Sequence, residues 1–262
     1  MNVADKHKHV IVMDTIMVHL IKTKPAAESP NELPPDVFIG AGEGCRYTVV
    51  AWLVAGGHAD ATATHDEHEG FTMLMLAALG GHAEIVDTLL ERNAAIDLTC
   101  DYCDYCKRSA LELAAMKGHT DVALRLCLAG SKNVFLAINI AERFGHVDTV
   151  CELSMHIKRV HASLWNEAGE ELPKEVASAA ADGLEATVLA WVEGGGYVNA
   201  TLSAEEGTKD KTLLHFACEN NRASIVSLLI KHNADTNLQD SHGVSPLIES
   251  AARGHASIVS RL

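Results

Sequence analysis

The sequence is poor in the features that mark nucleic-acid-binding and membrane-bound proteins. Aromatic residues make up 5% of its 262 residues, and proline occurs six times. The 21 Lys and Arg residues are outnumbered by 35 Asp and Glu, so the formal net charge is −14. Binding to nucleic acid or to an anionic membrane surface requires Lys and Arg to neutralise phosphates. We therefore expect neither nucleic acid nor a membrane as the partner.

An apolar segment near the N-terminus, Val10–Leu20, is too short to cross a bilayer, which takes about 20 apolar residues. No small-residue cleavage site follows it, as a secretory signal requires. We assign residues 1–30 to an arm that packs as a strand or helix on the rest of the chain, or is mobile, and to a proline-rich linker. Without a clear signal peptide, the seven cysteines are expected to be reduced. This predicts an intracellular protein, in either cytoplasm or nucleus.

Sequence motifs of catalysis are lacking as well. There is no Walker loop, no H-E-x-x-H, no kinase signature and no Ser/His/Asp order. The glycine-rich stretch 37–44 fails as a dinucleotide-binding loop, because Cys45 stands where the third glycine belongs. We therefore predict a protein that is not an enzyme and binds no cofactor.

What the chain does contain is internal similarity with a period of 33 residues. The segment 212–217 recurs in the same phase at 245–250, and Ala-Ser-Ile-Val at 223–226 recurs at 256–259. The phase continues upstream, where Thr72 and Ser109 occupy the position of Thr212. Gly-His pairs stand at one fixed place in the period, at 81–82, 118–119, 145–146 and 254–255.

These residues resemble the ankyrin repeat. The resemblance lies in a helix-capping Thr or Ser, in paired alanines, in the Gly-His pair and in an Ile-Val-x-x-Leu-Leu stripe. It implies an all-α solenoid of stacked helix–turn–helix units with short β-hairpin fingers, in which each unit buries the apolar face of its neighbour. It also implies that the histidines of the Gly-His pairs, and His215, are structural residues.

A second similarity, at an offset of 139 residues, aligns 48–52 with 187–191, each ending in Trp. We therefore expect two sub-arrays. Residues 31–165 hold about four repeats, the last one degenerate, with a long second helix from Val147 to Leu164. Residues 166–262 hold about three repeats, and the last stops inside its second helix.

By the resemblance, a partner protein lies in the concave groove formed by the fingers and first helices. Phe71 is the best single anchor candidate, because it is apolar at a position that is normally exposed. Tyr102 and Tyr105 are residue types that often dominate binding energy. The predicted partner-binding residues are His68, Glu69, Phe71, Leu79, Tyr102, Tyr105, Arg108, Met116, Lys117, Lys211, Glu219, Ser241, His242 and Arg253.

The segment 100–106 lengthens one finger by four residues, and we expect its cysteines to be exposed. Cys100, Cys103 and Cys106 could hold zinc with one more ligand, which the sequence does not supply at a helpful spacing. The alternative is a surface loop of reduced thiols, and we predict no metal site.

The function predicted from the sequence is a non-catalytic scaffold that binds another protein through its groove and finger loops. The alternative is the targeting or adaptor half of a larger enzyme or ubiquitin-pathway protein whose chemistry lies beyond residue 262. The last repeat motivates this alternative, because it stops before its second helix is complete.

Overall fold

A computed structural model of the chain describes residues 31–64, 69–100, 107–161, 171–202 and 210–262. The predicted arm and linker at 1–30 lie outside the described residues. So do five of the predicted site residues: His68, Tyr102, Cys103, Tyr105 and Cys106. The chain divides into two compact units, residues 1–132 and 133–262.

The first unit contains three described helix pairs. The first helices pack in a row, and the second helices form a parallel row beside them. The pairs are α1 (Pro35–Glu43) with α2 (Arg46–Val54), α3 (Met73–Gly80) with α4 (Ala83–Glu91), and α5 (Ala110–Lys117) with α6 (Thr120–Leu128).

The second unit contains four described helix pairs and one short hairpin. The pairs are α7 (Val134–Arg143) with α8 (Val147–His161), α9 (Lys174–Asp182) with α10 (Glu185–Glu193), α11 (Leu213–Glu219) with α12 (Ala223–Lys231), and α13 (Pro246–Ala252) with α14 (Ala256–Val259). The hairpin precedes α11 and pairs β1 (Thr201–Leu202) antiparallel with β2 (Lys211–Thr212).

The division between the units falls earlier than the expected sub-array boundary at residue 165. The degenerate repeat, α7 and α8, belongs to the second unit because it packs on α9 and α10. The ring of Phe135 on α7 meets Trp191 on α10 edge-on, with centroids 5.8 Å apart. The boundary at 165 rests on the sequence duplication and stays a prediction. The described part of α8 runs to His161, and the predicted end at Leu164 lies outside the described residues.

Hydroxyl groups start the first helices where the period places Thr or Ser. The Thr72 hydroxyl oxygen accepts the N–H of Met75 at 3.3 Å, and the Ser245 hydroxyl accepts the N–H of Ile248 at 3.3 Å. Pro246 occupies the first position of its helix, where a missing N–H leaves no partner unsatisfied. These two caps place the starts of α3 and α13 at the same point of the period.

The Gly-His pairs fasten each repeat to the one before it. The Nε2 atoms of three of these histidines lie within hydrogen-bond distance of a main-chain carbonyl oxygen in the preceding first helix. These contacts are His82 to Gly42 at 2.8 Å, His119 to Leu79 at 3.1 Å and His255 to Glu219 at 3.2 Å. The predicted structural role of these three histidines is therefore confirmed.

Gly81 shows why glycine precedes histidine. Its φ is +75°, and a Cβ atom there would lie 2.6 Å from Nδ1 of His119 in the next repeat. Where the sequence has Asn221-Arg222 instead, Asn221 adopts a positive φ of 58°. The Nε–H of Arg222 donates to the carbonyl oxygen of Ala181 at 2.8 Å. Arginine thus replaces histidine in the same contact.

Candidate functional site

The groove face of each unit, defined here by its finger residues and the C-terminal ends of its first helices, carries the predicted partner-binding residues that the structure describes. In the first unit Glu69 and Lys117 are exposed, and Leu79 and Arg108 are half-buried. Met116 is buried, with 8% of its surface exposed. Among these predicted residues, the first unit therefore offers two exposed charged groups, one of each sign, and a half-buried leucine.

Phe71 does not occupy an exposed position, and this expectation is wrong. Its side chain is 1% exposed. The finger pairs with itself at this point, because the N–H of Ala63 donates to the Phe71 carbonyl at 2.8 Å and the N–H of Gly70 donates to the Ala63 carbonyl at 2.9 Å. This pairing leaves the ring in the core, so Phe71 supports the finger from inside.

Cys100 is also buried rather than exposed, with 1% of its surface accessible. Its carbonyl oxygen accepts the N–H of Lys107 at 2.6 Å, which closes the base of the lengthened finger. Across the described ranges, no group of three or more His, Cys, Asp or Glu residues is arranged to hold a metal ion. Cys103 and Cys106 are not among these residues, so zinc binding there stays untested.

Four charged side chains form a closed ring in the second unit, which we call the charge quartet: Lys211, Glu219, Glu249 and Arg253. Lys211 Nζ lies 3.0 Å from Glu219 Oε2 and 3.8 Å from Glu249 Oε2. Arg253 Nε lies 2.8 Å from Glu249 Oε1, and its Nη2 contacts Glu219 Oε1. Each cation therefore touches both carboxylates.

The side chains of the charge quartet differ in how much of their surface is exposed to solvent. The Lys211 side chain is 10% exposed and that of Glu249 is 13%, whereas that of Arg253 is 47% exposed. The hydrogen bond with Glu249 raises the pKa of Arg253, and the charges of Glu219 and Glu249 add to this against partial desolvation. The guanidinium is thus held in one orientation with its outer N–H groups facing solvent.

Three members of the quartet were predicted from the sequence as partner-binding residues, and the structure brings them together. Glu249 was missed, because the comparison of groove positions does not include its place in the repeat. Its spacing of four residues from Arg253 could have identified it, since Glu and Arg at that distance face each other on a helix.

The finger before α13 presents Ser241 and His242 to solvent. Asp240 shapes this turn, because its Oδ1 accepts the N–H of His242 at 2.9 Å and that of Val244 at 3.0 Å. Burial pushes the pKa of Asp240 upwards, but these two hydrogen bonds and the neighbouring histidines outweigh it and hold the pKa below its usual value. The ionised carboxylate therefore fixes the finger.

His215 on α11 connects this helix to the finger through a hydrogen bond. Its Nδ1 accepts the N–H of Thr212 at 3.2 Å, and its Nε2 donates to the Val244 carbonyl at 3.0 Å. Burial lowers the pKa of His215, and nearby Lys211 acts in the same direction, against the Val244 hydrogen bond and the charges of Asp240 and Glu249. The neutral imidazole serves as a structural bridge, as predicted.

Comparison with known families decides the identity of this array. A family model described as ankyrin repeats, in three copies, matches residues 38–136 and 177–262, which is more than half of the chain. The chain belongs to the ankyrin-repeat family. The predicted all-α fold of stacked helix pairs with short fingers is confirmed.

Two known ankyrin-repeat proteins illustrate the similarity. The Ankyrin repeat and KH domain-containing protein mask-1 of Caenorhabditis elegans is 28% identical over 218 residues, which is 81% of this chain and 8% of that protein. This chain thus spans a small part of that relative. The crystal structure of the human ASB11 ankyrin repeat domain matches with a TM-score of 0.57 at 19% identity, over 87% of this chain and 98% of that domain. The second likeness concerns the fold alone.

Ankyrin repeats are generally non-catalytic modules that bind other proteins. The groove face described above is consistent with this role, since the side chains that join the repeats are half-buried while Lys117, Ser241, His242 and Arg253 are exposed. No helix in the described part of the chain is both long enough and apolar enough to cross a membrane.

Proposed function

We propose that this ankyrin-repeat chain is a non-catalytic intracellular scaffold that binds another protein through its groove faces and finger loops. The observation that carries the proposal is the charge quartet of the second unit. Its exposed member, Arg253, lies on the same first helix that follows the exposed finger of Ser241 and His242. These three side chains face solvent on the surface that the family uses for binding.

The quartet supports recognition by orienting a donor in advance. An arginine that two carboxylates already hold loses little conformational freedom when a partner binds, and this loss otherwise opposes association. The carboxylate oxygen atoms of Glu219 and Glu249 already contact Lys211 and Arg253. The guanidinium of Arg253 has five N–H groups, more than these two carboxylates engage, so we propose that main-chain carbonyl or side-chain oxygen atoms of the partner contact Arg253.

The first unit contributes a second part of the proposed surface. Glu69, Leu79, Arg108, Met116 and Lys117 belong to it, together with the predicted finger residues His68, Tyr102 and Tyr105. Lys117 is exposed at the end of α5, and Leu79 is half-buried at the equivalent end of α3. The buried side chains of Phe71 and Met116 would support this surface instead of making the first contact with a partner.

A pair of variants tests the proposal. The double variant His242→Ala/Arg253→Ala removes exposed groove side chains, while Lys231→Ala removes an exposed side chain at the end of the second helix α12. Proteins captured from the source cells by each immobilised chain would be quantified by mass spectrometry. The retained partner should bind the groove variant about tenfold more weakly, a change of about 1.4 kcal/mol, and the control variant unchanged.

Circular dichroism serves as the folding control, because both variants should keep the helical spectrum of the wild type. Equal capture by the wild type and the groove variant would contradict a role for the groove face of the second unit. Loss of capture by Lys231→Ala alone would place the binding surface on the second helices.

The intracellular location is part of this proposal, and the cysteines support it. Among the cysteines that the structure describes, four carry free thiols: Cys45, Cys127, Cys151 and Cys218. Burial raises the pKa of the Cys127 and Cys218 thiols to about 12, so both stay protonated and unreactive. A chain that keeps exposed and buried thiols reduced suits a reducing compartment. The adaptor alternative concerns chemistry outside residues 1–262 and stays a prediction.

A further inference from the structure

The first helix pair, α1 and α2, leaves uncovered a face that every later described repeat of its unit buries. Ile39 on α1 is 52% exposed, whereas Leu76 and Leu113, at its position in the next two repeats, are 3% and 0% exposed. Thr48 on α2 is half-buried, whereas Ile85, its equivalent in the next repeat, is 1% exposed. We call Ile39, Thr48 and Ala51 the open face.

The sequence duplicate of this helix pair, α9 with α10, shows what a covered version of the face looks like. There Thr187 and Ala190, the counterparts of Thr48 and Ala51, are 0% and 1% exposed. The cover is a preceding pair of helices, α7 and α8. Glu142 on α7 accepts the N–H groups of Ala186 and Thr187 at 3.0 and 3.3 Å.

The two copies also differ in the side chain at the position of Ile39. Ser178 stands in the duplicate where Ile39 stands in the first pair, and both positions are exposed. Ile39 is half exposed on a face that a neighbouring repeat normally buries, and this favours an apolar occupant. Burying an isoleucine side chain lowers the free energy, whereas burying a serine does not lower it in this way. The described helices α3 and α4 pack on α1 and α2, and Ile39 nevertheless stays half exposed.

The chain supplies such an occupant directly before this helix pair. In the segment 10–21, apolar residues recur at the helical spacing i, i+3, i+4, i+7, as Met13, Ile16, Met17 and Leu20. Asp14, Thr15 and His19 fall outside this stripe, whereas in a strand they would interrupt both faces. The pattern therefore favours a helix with one apolar side.

The linker is long enough for this segment to reach the open face. Nine residues, 22–30, connect it to the first described residue, Asn31. An extended chain of this length spans up to about 30 Å, and neighbouring helices pack about 10 Å apart. The sequence of this linker contains Pro25 and Pro30, and proline disfavours the continuation of a helix.

We propose that residues 10–21 form one helix whose apolar stripe packs on the open face and covers the exposed side of α1 and α2. This proposal is independent of partner binding in the groove. The occupant is this segment of the same chain; a second copy of the chain is the competing occupant that the experiment separates.

Hydrogen–deuterium exchange on the full chain provides the test. In the wild type, the amides of residues 13–21 should exchange at least tenfold more slowly than in an unstructured peptide. The stripe variant Met13→Asp/Met17→Asp and the face variant Ile39→Asp should both abolish this protection. Each should also speed exchange in residues 35–54 severalfold, while residues 213–231 stay unchanged.

Matched control variants introduce aspartate at positions outside the proposed contact between the segment and the open face. Thr15→Asp/Val18→Asp changes the other side of the segment, and Leu128→Asp changes an apolar side chain of the first unit that is 69% exposed. Both controls should keep wild-type protection. Unprotected amides at 13–21 in the wild type, or protection that survives Ile39→Asp, would overturn the proposal. Sedimentation velocity would assign the open face to a second copy if the wild type were a dimer, Ile39→Asp a monomer, and amide exchange at 13–21 the same in both.

Discussion

Single side chains join neighbouring repeats at one repeated point, the main-chain carbonyl two residues before the turn of each helix pair. His119 reaches the Leu79 carbonyl and Arg222 reaches the Ala181 carbonyl at the equivalent place. Two different residue types make this contact because both carry an N–H donor on a planar group at the end of a side chain. The requirement at this position is therefore a donor of suitable reach and not histidine itself.

Substitution of His119 tests this requirement. His119→Ala leaves the Leu79 carbonyl without its partner and should lower the free energy of unfolding by about 1–3 kcal/mol. His119→Arg should stay within about 1 kcal/mol of the wild type, because its Nε–H can donate as that of Arg222 does. Urea unfolding followed by circular dichroism measures both changes. Equal losses for the two variants would show that the imidazole ring matters by its shape.

Protonation of His215 predicts a pH dependence. Its pKa in the folded chain lies below the ordinary value of about 6.5, because burial disfavours the charged form. As pH falls below about 6.5, the unfolded chain binds a proton that folded His215 does not, so stability is lost in that direction. The free energy of unfolding should decrease more between pH 7 and pH 5.5 in the wild type than in His215→Gln.

The comparison with His215→Gln isolates this histidine from the other titrating groups. His156, whose pKa is lowered by burial and by Arg159, contributes equally to both proteins. Asp240, Lys211 and Glu249, whose charges act on His215, are present in both proteins. The same pH slope in the two proteins would contradict the assignment of His215 as a neutral bridge.

At the scale of the helix, α10 shows how a repeat compensates for a missing Gly-His pair. Leu184 stands where histidine is usual, and its side chain has no N–H group to donate to the preceding repeat. Instead Glu142 of α7, the first helix of the preceding repeat, accepts two N–H groups at the start of α10. A carboxylate at this end of a helix also interacts favourably with the helix dipole.

Removing this carboxylate should weaken the second unit. Glu142→Gln keeps the size of the side chain but loses its charge, and it should lower the free energy of unfolding by about 1–2 kcal/mol. Asp148→Asn, an exposed position at the start of α8, is the matched control and should change it by less than about 0.5 kcal/mol. Chemical unfolding of both variants provides the comparison. If Glu142→Gln left the free energy of unfolding unchanged, water would cap α10 as effectively as the carboxylate does.

The sequence predicts the helices better than it predicts the contacts between them. Capping hydroxyls and the position of Gly-His mark helix starts and turns, because these signals are local and act within a few residues. The burial of Phe71 could not be predicted in this way, since it depends on how the finger pairs with Ala63. The forward cap by Glu142 also escaped prediction, because it joins residues more than 40 positions apart.

At the scale of the whole molecule, the repeat frame fixes the fold and leaves the groove faces to vary. Each unit half-buries its joining contacts and exposes charged and polar side chains on fingers and first helices. The place in the repeat alone predicted Lys211, Glu219 and Arg253 as site residues. Their arrangement as a ring with Glu249 became visible only in the three-dimensional structure. Position in the repeat predicts which surface is free, and three-dimensional packing determines its chemistry.

The most direct test of the proposed function is hydrogen–deuterium exchange of the chain with and without its captured partner. The account predicts that bound partner slows exchange at fingers and first helices, such as residues 107–117 and 240–253. Exchange at second helices, such as 120–128 and 223–231, should stay unchanged. Slower exchange confined to the second helices would contradict binding through the groove faces.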